Sequence, residues 1–128
     1  MSPLLVLLVS AILPGPISGD FDHDGKTDTA RLTRGDNGAY VLEIARGAAP
    51  KAPVRMDLGR YAPDYMVPAK NGGVVATSCG KGEGAKTEPC PRKSVQVTRG
   101  DLLVGTAEAS ESVFIWDGQT FRRDWLSD

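Results

Sequence analysis

Residues 112–126 read SVFIWDGQTFRRDWL, and this stretch indicates the fold class of the whole chain. Aromatic and β-branched residues alternate with other residues on either side of the dipeptide Asp117-Gly118. Alternation with a period of two is typical of β-strands, and Asp-Gly favours the positive φ angles that a tight hairpin turn requires. We therefore expect two antiparallel strands joined at Asp117-Gly118.

The aromatic residues of this hairpin belong either to the core or to a binding surface. Phe114 and Trp116 share one face of the first strand, and Phe121 and Trp125 share one face of the second, because successive side chains point to opposite faces. Large aromatic side chains are usually buried, so we expect both pairs to point inward. If one pair points outward instead, it marks a binding surface that two arginines would flank. The residues of this candidate surface are Trp116, Arg122, Arg123 and Trp125.

Much of the remaining chain repeats this pattern of short alternating segments and turns. Examples are TARLT (29–33), AYVLEIA (39–45) and SVQVT (94–98), and turn-forming dipeptides such as Asn37-Gly38 lie between such segments. No stretch shows helical periodicity over several turns. The sequence therefore predicts an all-β domain of about seven or eight strands, arranged as a mainly antiparallel meander, sandwich or partly open barrel.

Two segments interrupt the alternating pattern. The Ala/Pro-rich segment GAAPKAP (47–53) separates two predicted strands, and RYAPDYMVPAKNGG (60–73) is irregular, with two prolines and two tyrosines. Proline is disfavoured in the interior of a strand, because it has no N–H group to donate. We expect a short helix or helical turn within residues 61–70.

Composition limits the function classes. The chain has 128 residues, 41% of them hydrophobic and 24% charged, which suits one globular domain with a modest core. The 15 Lys and Arg residues are balanced by 16 Asp and Glu residues, without a polybasic run. Since nucleic acids and anionic membranes attract basic surfaces, we expect no nucleic-acid partner.

The first 19 residues, MSPLLVLLVSAILPGPISG, have the pattern of a secretory signal peptide. An apolar run from Leu4 to Leu13 is followed by prolines and small residues. Cleavage after Gly19 would leave residues 20–128 as a single β domain. The run is too short to span a membrane, so we expect no stable membrane insertion after its removal and a periplasmic or extracellular location. A buried N-terminal strand or helix is the alternative interpretation.

The two cysteines, Cys79 and Cys90, are expected to form a disulfide, because an even pair in a small exported chain usually does. A zinc site would need further Cys or His ligands, and the chain has one histidine, distant in sequence. A redox pair would favour the closer Cys-x-x-Cys spacing. The crosslink would stabilise the polar loop between the cysteines by about 3 kcal/mol in the chain-entropy model.

Residues 20–28, DFDHDGKTD, carry four aspartates in nine positions and predict a calcium site. Such crowded carboxylates repel one another unless a hard dication lies among them, and calcium accepts six to eight oxygen ligands. The spacing matches the first nine positions of an EF-hand loop, with Gly25 where the backbone turns sharply. His23 occupies a position that points away from the ion, so we expect it to face solvent. The predicted ligands are Asp20, Asp22, Asp24, the carbonyl of Lys26, and Asp28.

The match to an EF-hand ends after the ninth position. The twelfth position holds Arg31 instead of a bidentate glutamate, and no helical pattern flanks the loop. A D-x-D-x-D-G-x-x-D loop that runs directly into the strand TARL instead resembles the calcium loops of integrin-like FG-GAP and VCBS repeat proteins. This resemblance implies calcium ligation at the four aspartates. A full propeller is excluded because the chain contains one such loop.

The order of leader, aspartate loop, two-cysteine loop and C-terminal SVFIWDGQTFRRDWLSD also looks like small uncharacterised exported bacterial proteins, a likeness that implies no activity. We expect a noncatalytic, calcium-binding β protein that serves as a binding or structural module of the cell envelope. Its partner would be a protein or an envelope polymer, and its ion would be a structural clip rather than a sensor.

The alternative is a small secreted hydrolase or hydrolase inhibitor. A Ser-His-Asp or Cys-His mechanism needs a histidine that can shuttle protons, and the single histidine, His23, lies inside the metal loop. A glycosidase would need paired carboxylates, for which Asp64 with Glu108 or Glu111 are candidates.

Overall fold

The computed structural model describes residues 12–83, 89–107 and 109–127. These residues form ten β-strands and a single-turn 3₁₀ helix, Cys79–Lys81, and contain no α-helix. The predicted all-β class is confirmed, with ten strands rather than seven or eight. The strands are β1 (Ile17–Gly19), β2 (Asp28–Arg34), β3 (Tyr40–Arg46), β4 (Ala49–Gly59), β5 (Tyr65–Pro68), β6 (Gly73–Ala76), β7 (Ser94–Val97), β8 (Leu102–Gly105), β9 (Glu111–Trp116) and β10 (Phe121–Ser127).

The strands form three antiparallel sheets. The first sheet is a meander with the order β1-β2-β3-β4, the second has the order β10-β9-β8-β5, and β6 pairs with β7 in a third. The first and second sheets enclose the main core, to which Phe21, Leu42, Leu102 and Phe114 contribute. A smaller core forms where valines of β7 pack with Val113 and Leu126, which lie on the other face of the second sheet. The fold is a β-sandwich whose second sheet has apolar contacts on both faces.

Short strands account for the difference in strand number. The expectation of a short helix or helical turn within residues 61–70 is wrong, because Tyr65–Pro68 pair antiparallel with β8. β4 begins inside the Ala/Pro-rich segment, which the sequence pattern places outside a strand. A partner strand supplies the hydrogen bonds that these short segments need, so local sequence preference is a weak guide here.

β1 lies within the predicted leader, residues 1–19. Its three residues pair with the start of β2, from Ile17 opposite Ala30 to Gly19 opposite Asp28. Residues 1–11 of the predicted leader lie outside the described residues.

The C-terminal hairpin forms as predicted, but its turn is shifted by one residue. Trp116 pairs with Phe121, and the N–H of Asp117 donates to the carbonyl of Thr120 at 3.0 Å, so Gly118 and Gln119 lie at the tip. Gly118 has a φ of 102°, which is the conformation that a glycine at the first central position of a hairpin turn supplies. The Asp117 carboxylate accepts the N–H groups of Gln119 and Thr120, both at 2.9 Å. This side-chain contact holds Asp117 at the strand end rather than at the tip.

The predicted disulfide between Cys79 and Cys90 is present, with a Cα–Cα distance of 5.6 Å. It joins the 3₁₀ helix after β6 to the segment before β7. The loop it closes contains residues 84–88, which lie outside the described residues.

Candidate metal-binding loop

The aspartate loop, residues 20–28, connects β1 to β2 at one end of the sandwich. Phe21 anchors it, because its ring is fully buried in the main core. Gly19 accommodates this ring, since a Cβ atom at Gly19 would lie 2.8 Å from the ring edge. The chain therefore enters the core at Phe21 and returns to the surface before β2 begins.

Asp28, the first residue of β2, is the best-connected carboxylate of the loop and is fully buried. Its Oδ2 accepts the N–H groups of Phe21 and Asp22 at 2.8 and 3.2 Å, and its Oδ1 accepts the N–H of Gly47 at 2.8 Å. Burial raises the pKa of Asp28, while these three N–H donors act in the opposite direction. Asp28 thereby ties the aspartate loop to the turn between β3 and β4.

Asp20 and Asp24 organise the exposed part of the loop. The two oxygens of Asp20 accept the N–H groups of Asp24 and Gly25, at 3.1 and 2.8 Å. Asp24 Oδ1 accepts the N–H of Lys26 at 2.8 Å. Gly25 has a φ of 85°, consistent with the sharp turn predicted at this position. Main-chain donors therefore fold the loop around its carboxylates.

Asp22 pairs with an arginine that the sequence pattern does not single out. Arg46 Nε donates to Asp22 Oδ2 at 2.7 Å, and the guanidinium carbon of Arg46 lies 3.9 Å from the centroid of the Trp116 ring. Both Asp22 and Arg46 are largely shielded from solvent. Arg46 ends β3, 24 residues from Asp22, so only the folded topology brings the two side chains together.

Three of the five predicted ligands converge. One oxygen each from Asp20, Asp22 and Asp28 lies within 4.8 Å of the others. Asp24 is not a member of this group of three. Its carboxylate, like the Lys26 carbonyl, belongs to the same exposed turn of the loop. Three convergent carboxylates form a set of hard oxygen donors of the type that calcium or another hard dication prefers.

His23 does more than face solvent, which corrects the expectation for this residue. Its Nε2 lies 2.6 Å from Oδ1 of Asp101, whose side chain is buried, although the histidine itself stays about one-third exposed. Asp101 also accepts the N–H of Thr98 at 2.7 Å. His23 has a φ of 60°, the one positive value among the described non-glycine residues. This contact joins the aspartate loop to the turn before β8.

The candidate surface predicted from the last hairpin is divided between three places. Trp116 packs against the main core beside Phe121 and carries Arg46 on its ring. Arg122 Nε donates to Asp124 Oδ2 at 3.0 Å, on the face of β10 opposite Phe121. Arg123 and Trp125 lie together at the rim of the sandwich, with 3.8 Å between the guanidinium carbon and the ring centroid. The expectation that both aromatic pairs are buried holds for Phe114 and Phe121, whereas Trp116 is partly buried and Trp125 is 42% exposed.

Arg123 and Trp125 line a groove of about 580 Å³. Its other walls come from the end of β4, the β4–β5 loop, β8 and the β8–β9 loop. Tyr61, in the β4–β5 loop, is 86% exposed. The sequence pattern singles out Arg123 and Trp125 as part of a candidate surface, but not the other walls of the groove, because these are distant in the chain.

The carboxylates considered for a hydrolase are engaged elsewhere. Asp64 Oδ2 accepts the N–H of Ala107 at 2.8 Å, and Glu111 Oε2 accepts the hydroxyl of Tyr65 at 2.6 Å. Burial and the Glu111 carboxylate raise the pKa of Tyr65. Glu108 lies outside the described residues. Within the described part of the chain, no serine or cysteine side chain hydrogen-bonds to the ring of His23.

Among the residues described, no helix is long and apolar enough to cross a membrane. Comparison of the chain with protein-family models, with curated proteins and with solved structures finds no match.

Proposed function

We propose that the protein is an exported, noncatalytic, calcium-binding module of the cell envelope. The observation that carries this proposal is the convergence of the carboxylates of Asp20, Asp22 and Asp28 within 4.8 Å. The ligand spacing adds to it, because Asp24 and the Lys26 carbonyl occupy the positions from which a calcium loop supplies further oxygens.

The proposed role of calcium is to fix the end of the sandwich. Asp28 connects the loop to Gly47 between β3 and β4, and His23 connects it to Asp101 before β8. An ion held by Asp20, Asp22 and Asp28 would reduce the repulsion among these carboxylates and stabilise both connections. A structural clip is therefore favoured over a sensor.

Export is supported by two features. The disulfide between Cys79 and Cys90 is of a kind that persists in oxidising compartments. The apolar run at residues 4–13 has the length and flanking small residues of a secretory leader. A noncatalytic role is supported by the engagement of His23 with Asp101 and of Glu111 with Tyr65. The proposed partner is an envelope protein or polymer.

Calcium titration tests this function. The protein is recovered from the periplasm of an expressing bacterium, its N-terminus is determined by mass spectrometry, and thermal unfolding is followed in EDTA and in increasing calcium. At a calcium concentration about 100 times the dissociation constant, ligand linkage predicts stabilisation of about 2.7 kcal/mol. Magnesium should stabilise the protein less, because it requires a smaller and more rigid shell.

Matched variants assign the effect to the loop. Asp20→Asn removes one converging carboxylate while retaining an acceptor oxygen for the loop, and it should abolish most of the calcium-dependent stabilisation. Asp36→Asn, an exposed aspartate of the β2–β3 turn, is the control and should respond to calcium like the wild type. A thermal midpoint that is indifferent to both calcium and EDTA would reject the proposed calcium site.

A further inference from the structure

The groove beside β10 contains a cation without a counterion in the described part of the chain. Arg123 Nε donates to Ser112 Oγ at 2.9 Å, and its guanidinium carbon lies 5.6 Å from the centroid of Phe114 and 3.8 Å from that of Trp125. None of the ion pairs among the described residues includes Arg123. Burial of the guanidinium removes part of its hydration and thereby lowers the pKa of Arg123.

The guanidinium retains unused hydrogen-bonding capacity. Arginine has five N–H donors in a planar fork, and the contact with Ser112 uses one of them. The fork matches the geometry of a carboxylate, which can accept two parallel bonds from it. An anion with two oxygens would therefore satisfy the charge and the donors together.

A second arginine of this protein lies on a tryptophan ring and also pairs with a carboxylate. Arg46 also lies on a tryptophan, with 3.9 Å between its guanidinium carbon and the ring centroid of Trp116. It additionally holds the carboxylate of Asp22 at 2.7 Å. Arg123 on Trp125 has the same stacked arrangement but lacks the carboxylate among the described residues. This difference indicates the chemistry of the group that Arg123 would accept.

The groove itself has the size and lining of a small-molecule site. Its volume of about 580 Å³ falls within the range in which most ligand pockets lie. Tyr61, Pro63, Val104 and Trp125 supply apolar surface, and Ser110 supplies a polar group. Arg123 is the one charged residue among the described residues that line the groove. A single cation is too little to hold a polyanion, because phosphate polymers are bound by several basic residues.

We propose that this groove binds a small organic acid, with an apolar, aromatic-sized body against Tyr61, Pro63 and Trp125 and one carboxylate paired with Arg123. The apolar walls would bury the body of the ligand, and the carboxylate would replace the water lost from the guanidinium. This site is separate from the aspartate loop and does not depend on the proposed calcium function.

The test compares naphthalene-2-acetic acid with its neutral counterpart, naphthalene-2-acetamide. Binding is measured by tryptophan fluorescence and by NMR shifts of the Arg123 Nε–H and the Ser110 amide. Each titration is run in EDTA and again in calcium, so that failure of the calcium site and failure of the groove site are distinguished. Because a charge-assisted hydrogen bond contributes more than a neutral one, the acid should bind about 10- to 100-fold more tightly than the amide.

Arg123→Met should remove this preference for the acid, because methionine retains the apolar stem but not the charge. Arg122→Met is the matched control, since Arg122 pairs with Asp124 on the opposite face and should leave binding unchanged. Circular dichroism and thermal unfolding confirm that both variants fold. Equal binding of acid and amide, unchanged acid binding in Arg123→Met, or no binding of the acid would overturn the proposal.

Two further measurements separate rival explanations. Glu108→Gln should leave acid binding unchanged; a tenfold increase would identify Glu108 as the internal partner of Arg123 and overturn the proposal. A tripeptide ending in phenylalanine, with a free or an amidated C-terminus, probes a polypeptide occupant. Binding of the free-carboxylate peptide without binding of naphthalene-2-acetic acid would assign the groove to a protein partner and reject the small acid.

Discussion

Arg46 and Arg123 lie on the two tryptophans of the same hairpin, but among the residues that the structure describes only Arg46 also holds a carboxylate. The guanidinium carbons are 3.9 and 3.8 Å from the ring centroids of Trp116 and Trp125. Arg46 is paired with Asp22, whereas Arg123 is held by the hydroxyl of Ser112. Two arginines that lie on tryptophan rings can therefore differ in whether a carboxylate of the described chain neutralises them.

The surroundings of the two arginines also differ: those of Arg46 are polar and hydrogen-bonded, and those of Arg123 are mostly apolar. Around Arg46, the aspartates of residues 20–28 accept several main-chain N–H groups, so each charge takes part in holding the loop. Around Arg123, the groove is mostly apolar and one of its walls, Tyr61, is largely exposed. We expect substitutions near Arg46 to lower stability, and substitutions at Arg123 to affect ligand binding with little change in stability.

The largest loss of stability is expected for Asp28→Ala. Removal of this carboxylate leaves the N–H groups of Phe21, Asp22 and Gly47 without their acceptor. The free energy of unfolding in EDTA should fall by about 3 kcal/mol, because unsatisfied buried donors keep their desolvation cost. Urea denaturation followed by circular dichroism measures this change.

Asp24→Ala is the control for Asp28→Ala, because Asp24 is exposed and accepts one N–H group, that of Lys26. Its effect on stability in EDTA should stay within about 0.5 kcal/mol. Equal losses in the two variants would show that the buried N–H contacts of Asp28 do not organise the loop.

The sequence predicts the aspartates of this loop but not the residues that complete it. Asp20, Asp22 and Asp28 are identified by local spacing, which the chain keeps in any fold. Arg46 and Gly47 reach the loop because β3 pairs beside β2, and this neighbourhood is a property of the sheet. Periodicity and spacing contain no information about such contacts.

The fold likewise has parts that local sequence predicts and parts that depend on contacts between distant segments. The hairpin of β9 and β10 is predicted because its alternation and its turn lie within 17 residues, Glu111–Ser127. β5 is missed because its partner, β8, begins 34 residues after β5 ends, and its sequence contains a terminal proline. The packing of β7 on the outer face of the second sheet is likewise set by distant valines and Leu126.

A smaller loss of stability is expected for Arg46→Met, which removes the partner of the buried Asp22 carboxylate. Loss of one partner of a buried ion pair is strongly destabilising, but Arg46 keeps some solvent contact. We therefore expect a decrease of about 2 kcal/mol in EDTA, which is smaller than the roughly 3–5 kcal/mol typical of a fully buried pair. Calcium should restore part of this loss, because the ion would compensate the Asp22 charge in place of the guanidinium. A loss that calcium leaves unchanged would separate Asp22 from the proposed ion site.

Tyr65→Phe tests the contact between the Tyr65 hydroxyl and Glu111, the first residue of β9. Glu111 would lose the Tyr65 hydroxyl, which donates to it at 2.6 Å, and stability at neutral pH should fall by about 1 kcal/mol.

The pH dependence of this contact has a defined sign. The pKa of Tyr65 is raised in the folded protein, so above about pH 10 the unfolded chain releases the phenolic proton while the folded chain retains it. This contribution to stability is complete below that pH and is lost as the pH rises further. Urea denaturation between neutral and strongly alkaline pH should therefore show a steeper decline for the wild type than for Tyr65→Phe. Parallel declines would mean that neither burial nor Glu111 raises the pKa of Tyr65 in the folded protein.

A change in stability as small as that of Asp24→Ala is expected for Arg123→Met, and this variant tests the comparison most directly. Methionine retains apolar contact with Phe114 and Trp125 and removes a partly desolvated charge, but it leaves the buried Ser112 hydroxyl without its donor. These effects oppose each other, so the free energy of unfolding should change by no more than about 0.5 kcal/mol. A loss as large as that of Arg46→Met would show that the chain itself compensates the Arg123 charge. The two stacked arginines would then be equivalent structural elements, and the groove would have no unpaired cation to offer a ligand.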